Sequence, residues 1–592
     1  MTRIINALTG CRIFFLFFFF IFAGFRAIDS AAAQLPADNT EDPKRDEQKD
    51  QGKSSEPYNI LLIMCDQESF RLLDAEGYTL PAREKLKSIG TSFENHYIAS
   101  AMSTPSRGTI FTGQPPQVNG IFDQMEMGYV PSISTEKPSM GTIMKDLGYT
   151  TAYYGKFELD KDILYSNEKI NYTDSLQKYG FDKFEPDGDK YGEPDQGYDT
   201  DNYSTGESIR WMRTNAKNLE NNDKPWFMVL SLINPHDIMY ADANLQGETV
   251  QKSKIGAVIT PPPSNELYKR KWNFELWSSL GQQIDSPNRP KGQLEYHKGW
   301  SDFLGLIPNT RKDMWTIFYN LYLNFIKDSD SNIRQVMDTL DDLDLWENTI
   351  VVFTADHGEL GGSHGGLRGK GPFPYEQMSH VPMVIVHPDY KGGKSCRSVT
   401  SHLDIIPTLV GLSGTSEDNK TKLLKGLPGH DFSKLLKSPE DASLNAVRKA
   451  ALFNYVGLWV LDANYLLWSM KNYNSKDLFP PSLAKKHPDL SNRGFLSFVF
   501  DGRYKYARYF APNKFNTPKT LEDIFKYNDV ELFDLKNDSG EINNLAAYPE
   551  AHKELIIRMN NLLNEMIEKE VGANNGDFLP KPLLPFINKQ NK

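Results

Sequence analysis

Two short polar pairs end apolar runs that lie far apart in the chain. Asp66-Gln67 follows YNILLIMC, and Asp356-His357 sits in ADHGE directly after TIVVFT. Brought together, they could hold one divalent cation. Carboxylate and amide oxygens suit a hard ion such as calcium, while the imidazole leaves manganese or zinc open. Each pair alone is more often a cap or a turn. A third stretch, MSTPSRGTIFTG at residues 102–113, offers Ser103 as a nucleophile and Arg107 as the cation that orients it and balances those carboxylates. Pro105 disfavours helix at Thr104 and lets one start just after it. Ser103 is then either a helix N-cap or a nucleophile beside an anion held by the helix's exposed N–H groups.

Such groups must be carried by something rigid. YNILLIMC and TIVVFT are continuous apolar runs of strand length, which suits parallel strands covered on both faces. Ile333, Val336, Met337, Leu340 and Leu343 fall at helical spacing before TIVVFT, so helix and strand alternate and the class is α/β. KPWFMVLSLINPHD and VPMVIVHPD read as further strands of the same kind, each breaking into polar residues at its carboxyl end, where open α/β sheets place their sites. Residues 240–312, rich in Pro, Trp, Tyr and Lys, are too long for an ordinary connection and read as a lid. From about residue 450 the texture changes. FLSFVFDGRYKYARYF and DVELFDLKND alternate like antiparallel strands, and KELIIRMNNLLNEMIEKE is helical. This predicts a principal domain over 57–449 and a smaller C-terminal α+β domain over 450–592.

The chain is 592 residues long with 39% hydrophobic and 12% aromatic residues, a globular composition. Arg3 and Arg12, the run IFFLFFFFIFAGF and then SAAAQL have the layout of an export signal over residues 1–33. That run is too short to span a bilayer, so no stable membrane insertion is expected after cleavage. Residues 34–56 lack apolar periodicity and read as a solvated tether. Loss of residues 1–33 removes three arginines and Asp29, moving the formal charge from −11 to about −13, which disfavours nucleic acid as a partner. Cys65 and Cys396 are too few for a disulfide framework and read as buried thiols.

The motifs together resemble the sulfatase family. STPSRGTIFTG is similar to its Ser-type signature, and GYTTAYYGKFEL, NPHD, TADHGE, KGPFPYEQMSHVP, SHLDIIPTL and the terminal DGRYKYARY…ELFDLKNDSGEINNL resemble further family blocks in order, covering about residues 57–550. The resemblance implies an alkaline-phosphatase-like fold, with a mixed, mostly parallel sheet flanked by helices. It implies Asp66, Gln67, Asp356 and His357 as ligands of one divalent metal, calcium foremost. It also implies oxidation of Ser103 to formylglycine by a radical-type maturing enzyme before export to the periplasm or medium of a bacterium. By the same resemblance one oxygen of the formylglycine hydrate attacks sulfur, and the second later expels sulfate. Arg107, Lys156, His236 and Lys370 would surround the sulfate, Asp356 would act as a base, and His236 or Lys370 would protonate the leaving alcohol. His364 matches a recurrent family histidine to which we assign no role.

Two departures stand out. The family's Gly-Lys-Trp-His-Leu is GKFEL here, so Glu158 replaces a histidine. A carboxylate there repels a dianion unless it is protonated, paired with Lys156, or turned toward the non-sulfated part of the substrate. Gln67 stands where Asp is usual, a pairing that also resembles phosphonate monoester hydrolases. The expected activity is sulfate monoester hydrolysis, with sulfated carbohydrate favoured because Trp272, Trp277 and Trp300 could stack on sugar rings. The alternatives are a phosphonate monoester or phosphodiester hydrolase on the same scaffold, and a catalytically silent binding protein.

Overall fold

Burial on both faces makes the first apolar run a strand. In β1 (Asn59–Cys65) every residue is buried, with Ile60, Leu62 and Met64 in one core and Leu61, Ile63 and Cys65 in another. The computed structural model describes residues 57–587 apart from 166, 168, 473–482, 484 and 485, so the expected signal and tether lie outside the described residues. The other strands of the principal sheet are β2 (Thr91–Tyr97), β3 (Thr150–Gly155), β4 (Trp226–Leu232), β5 (Thr349–Ala355), β6 (Met383–Val386) and β7 (Lys394–Ser401). These seven strands run in the order β3-β4-β1-β5-β6-β2-β7.

All the neighbouring pairs are parallel except those of β6, which is antiparallel to both β5 and β2. This corrects the reading of VPMVIVHPD as another site-bearing strand, because its carboxyl end points to the opposite edge. A strand buried on both faces carries no sign of its direction in its residue types. Helices cover both faces. Gln196–Glu220 and Lys312–Asp342 pack on the Cys65 side, where Ile333, Val336, Met337 and Leu340 are buried. Ser103–Thr112, Met140–Asp146 and Ile405–Leu412 pack on the Met64 side.

A second, four-stranded antiparallel sheet follows, built from β8 (Ala451–Tyr455), β9 (Phe495–Phe500), β10 (Tyr504–Phe510) and β11 (Asp529–Asp534). Alternation decides its two faces. Leu452, Val499 and Tyr506 meet Ile556, Met559 and Leu563 of the helix Lys553–Glu570. Phe453, Phe498, Ala507 and Phe533 instead join the core that contains Met64. The described residues accordingly cluster as one compact unit.

The expectation for the lid tryptophans is overturned for Trp300, which is buried, while Trp272 and Trp277 are half-buried. Trp300 is 2% exposed and stacks on Tyr296 with ring centroids 5.3 Å apart. Trp272 donates from its indole nitrogen to Asn324 Oδ1 at 2.8 Å, and Trp277 meets Tyr319 edge-on. A long segment with little secondary structure, residues 241–290, needs its own apolar anchors, and Trp272 and Trp277 serve as two of them. Cys65 and Cys396 are free and buried. No helix among the described residues is long and apolar enough to cross a membrane.

Candidate active site

The sheet register brings the polar residues together. Cys65 lies opposite both Leu232 and Ala355, and Gly155 lies opposite Ser231. The next residue of each strand continues the ladder: Asp66 N–H donates to Leu232 O at 3.1 Å, Asp356 N–H to Cys65 O at 3.1 Å and Lys156 N–H to Ser231 O at 2.9 Å. Side chains some 290 residues apart in sequence thus emerge side by side, at strand spacings of about 5 Å.

Ser103 is the first residue of the helix Ser103–Thr112, whose N-cap is Met102 with no side-chain cap. This corrects both the N-cap reading and the later helix start expected from Pro105. A proline in the first turn costs nothing, since its missing N–H has no intrahelical partner there. Freed from capping, Ser103 Oγ lies 2.8 Å from His357 Nε2 and 3.4 Å from Asp66 Oδ1. His357 Nδ1 lies 3.0 Å from Gly358 O. That carbonyl can only accept, so Nδ1 carries the proton and the Nε2 lone pair faces Ser103 and the carboxylates.

Arg107 ties the site together. Its Nε donates to Asp356 Oδ2 at 3.0 Å, its Nη1 to Lys156 O at 2.6 Å and Ser231 Oγ at 2.8 Å, and its Nη2 to Asp66 Oδ2 at 3.4 Å. Lys156 Nζ is 2.6 Å from Asp66 Oδ2 and 3.1 Å from Glu158 Oε2. Burial pushes the Asp66 carboxyl up, but Lys156, His236, His357 and Lys370 together outweigh it and hold it well below the usual carboxylate range. Asp356 is pushed up to about 6 by burial and then by Asp66, against Arg107. Burial, with Lys370, lowers His357 to about 3.

Asp66, Asp356 and His357 present ligand atoms that all lie within 4.8 Å of one another. Fully buried carboxylates beside a neutral imidazole whose lone pair faces them fit a divalent cation. Gln67 stands next to this cluster, with its backbone at φ 73 and its N–H donating to Asp356 Oδ1 at 3.1 Å. Its amide nitrogen donates to Glu359 Oε2 and its amide oxygen accepts from Lys370 Nζ, both at 2.5 Å. Glu359 thereby turns the Gln67 oxygen toward the site, a role the sequence reading missed. Its place three residues after Asp356 was the available signal.

Glu158 takes φ 57, held because Asp189 accepts the N–H groups of Phe157 and Glu158 at 2.8 Å each. Its carboxylate is paired with Lys156 and lies 3.9 Å from Arg107 Nε. His236 and Lys370 line a cavity of about 210 Å³ beside Met102, with Glu126, Met239, Phe303 and Trp459 among its other walls. The structure therefore gathers Asp66, Gln67, Ser103, Arg107, Lys156, His236, Asp356, His357 and Lys370 in one place. His364 stands apart, stacked on Tyr375 with ring centroids 3.6 Å apart.

The sulfatase family profile matches residues 58–415, more than half of the chain. The chain belongs to the sulfatase family. It is a sulfuric ester hydrolase with the alkaline-phosphatase-like architecture described above. This sulfatase is 23% identical to an N-acetylglucosamine-6-O-sulfatase of Bacteroides thetaiotaomicron, over 84% of this chain and 85% of that one. A solved putative sulfatase from the same bacterium superposes with a TM-score of 0.60 at 20% identity, covering 87% of this chain and 93% of the other. A phosphonate monoester hydrolase of Silicibacter pomeroyi shares the fold at a TM-score of 0.59 and 18% identity, over 89% and 96% of the two chains.

Proposed function

We propose that this sulfatase is an exported enzyme that releases sulfate from carbohydrate sulfate monoesters, using residue 103 in its formylglycine form and one divalent cation, calcium by the hardness of the ligands. The observation that carries the reading is the position of Ser103 Oγ, 2.8 Å from His357 Nε2 and within reach of Asp66. The N-acetylglucosamine-6-O-sulfatase relative supports a sugar as the alcohol. Asp66, Asp356 and His357, joined by the Gln67 oxygen, would hold the cation, which would polarise a sulfate oxygen. Formylglycine at residue 103 would supply, as its hydrate, the nucleophilic oxygen in the place that Ser103 Oγ holds beside His357 and Asp66.

The chain's own residues do the rest. Arg107 fixes both carboxylates, and Lys156 balances Asp66 and Glu158. Lys370 and His236, on the cavity wall beside residue 103, are placed to meet sulfate oxygens and to hand a proton to the leaving alcohol. The pairing of Glu158 with Lys156 and Arg107 relieves the repulsion that favoured a silent binding protein.

The test combines mass spectrometry of the peptide containing residue 103, from the native host, with rates on paired aryl sulfate and aryl phosphonate esters. We expect an aldehyde at 103 and sulfate ester hydrolysis that is lost on chelation. Unmodified serine with no bound metal overturns the reading. Faster phosphonate cleavage moves it to the second reading, which the Silicibacter neighbour and Gln67 favour.

A further inference from the structure

The stretch SHLDIIPTL follows the end of β7 and takes no part in the chemistry described above. His402, its second residue, opens the turn His402–Asp404 and is fully buried. Its Nε2 lies 3.1 Å from Ala355 O and its Nδ1 lies 3.2 Å from Ser106 Oγ. Ser106 Oγ in turn donates to Asp356 O at 2.6 Å. The two side chains thus meet the carbonyls on either side of the Asp356 Cα. A carbonyl only accepts, so Nε2 carries a proton, and Nδ1 can share the Ser106 hydroxyl proton with Asp356 O.

The end of β5 needs such partners. β6 pairs with β5 only as far as Thr354, and on the other side Gln67 N–H turns to the Asp356 carboxylate. Past the ladder a buried carbonyl is costly unless a side chain supplies a donor. Two separate elements do so. Ser103, Ser106 and Arg107 stand at i, i+3 and i+4 on one face of the helix Ser103–Thr112. That face meets the Asp356-His357 pair three times: residue 103 at His357 Nε2, Ser106 at Asp356 O and Arg107 at Asp356 Oδ2. His402 arrives from β7 on an anchored turn. Asp404 accepts the N–H of Ser401 at 2.9 Å, and it accepts from Arg448 Nε at 2.9 Å and Nη2 at 2.5 Å.

We propose that His402, acting with Ser106, is a positioning residue of the active site: it fixes the end of β5 against the helix that carries residue 103, and so keeps Asp356 and His357 in place opposite Asp66 and residue 103. It touches neither the substrate nor a reacting atom. The proposal rests on the sulfatase reading above and on its cation site. A ring that merely filled space could be exchanged for an apolar side chain of similar volume at little cost. A ring that holds a carbonyl beside a metal ligand cannot, and the loss of such an outer partner typically lowers metal affinity or activity by about 10- to 100-fold.

Calorimetric titration of the metal-free protein with calcium, and in parallel with manganese, reads this role without requiring an aldehyde at residue 103. His402→Leu should weaken binding by about tenfold or more. It should lower kcat on an aryl sulfate, counted per aldehyde at residue 103, by a similar factor and leave KM little changed. His402→Gln, whose amide N–H can reach Ala355 O, should recover most of both. Ser106→Ala should act in the same direction, and its loss should not add to that of His402→Leu in the double variant, because the two belong to one chain of contacts. A His402→Leu protein with a lower melting temperature but wild-type metal affinity and kcat overturns the proposal, and so do additive losses. Where His402→Leu does not fold, wild-type affinity in Ser106→Ala overturns it instead. A wild type that takes up neither ion removes the cation site and this proposal with it. One that binds an ion but cleaves no sulfate ester removes the sulfatase reading, and the metal affinities of the variants then decide the positioning role by themselves.

Discussion

Lys370 reaches Gln67 Oε1 at 2.5 Å from the cavity wall beside residue 103. Lys370→Ala therefore removes a fixed positive charge from the place where sulfate oxygens must sit, and it leaves the side chains of Asp66, Asp356 and His357 in place while removing one of the charges that act on Asp66 and His357. A preorganised donor of this kind contributes about 3 kcal/mol to the transition state, so kcat should fall by on the order of 10²-fold. Steady-state rates on an aryl sulfate measure this, and an unchanged kcat rules the role out. Of the nine expected residues that lie together, Asp66, Gln67, Ser103, Arg107, Asp356 and His357 carried a chemical reason in their types and spacing, whereas Lys156, His236 and Lys370 were expected through the family resemblance alone. Glu359 was expected through neither. A lone glutamate in a sequence looks like a solvated surface charge, and only its depth in the fold shows otherwise.

The strand ends are the elements on which this geometry depends, and β3 shows how narrow the tolerance is. Gly155 has φ +95, and a Cβ there would stand 1.9 Å from Ser231 O. Gly155→Ala forces β3 away from β4 just before Lys156, whose carbonyl accepts from Arg107. The variant should lose about 3 kcal/mol of stability through strain at a special backbone position. It should also lose on the order of 10²-fold in kcat/KM, because the catalytic groups shift. Denaturant melts and rates at low temperature report the two effects separately.

The helix Lys291–Leu304 carries a different liability. Burial first, then Arg368 and Arg289, lower His297 to about 4. Below pH ~6.5 the unfolded chain takes up a proton that the folded state refuses, so stability falls as pH drops from about 6.5 to 4, by at most about 1.4 kcal/mol per unit. His297→Gln should flatten that slope, and unfolding midpoints at pH 7 and pH 5 compare the two proteins. The strands β1, β4 and β5 were readable as apolar runs and the helix Lys553–Glu570 and the second half of Lys312–Asp342 from their spacing, whereas the helix Gln196–Glu220 was not named. The direction of β6 was not readable, because an evenly apolar strand looks the same from either end. The helix start at Ser103 was hidden as well, because the proline that disfavours helix before it fits a first turn.

At the scale of the molecule, the two sheets are joined through buried charge as well as shared apolar core. Lys505 of β10 is fully buried between Glu376, at 2.6 Å, and Glu541, at 2.9 Å. Glu376 also accepts from Tyr97 of β2 at 2.7 Å and faces Arg71 at 3.1 Å. This one ammonium thus links the C-terminal sheet to β2 and to the loop that follows Lys370. Lys505→Met leaves two buried carboxylates without their shared cation. Breaking a buried pair in this way costs about 3–5 kcal/mol, far more than the intact pair contributes relative to an apolar replacement. The triple change Lys505→Met, Glu376→Gln, Glu541→Gln removes all three charges and should recover much of the loss. Chemical denaturation of the three proteins gives the comparison. If the sheets share one cooperative unit, the single variant should melt in one transition at a lower midpoint. Separate melting of the C-terminal sheet, or a single variant as stable as the wild type, shows that the buried cation does not couple them.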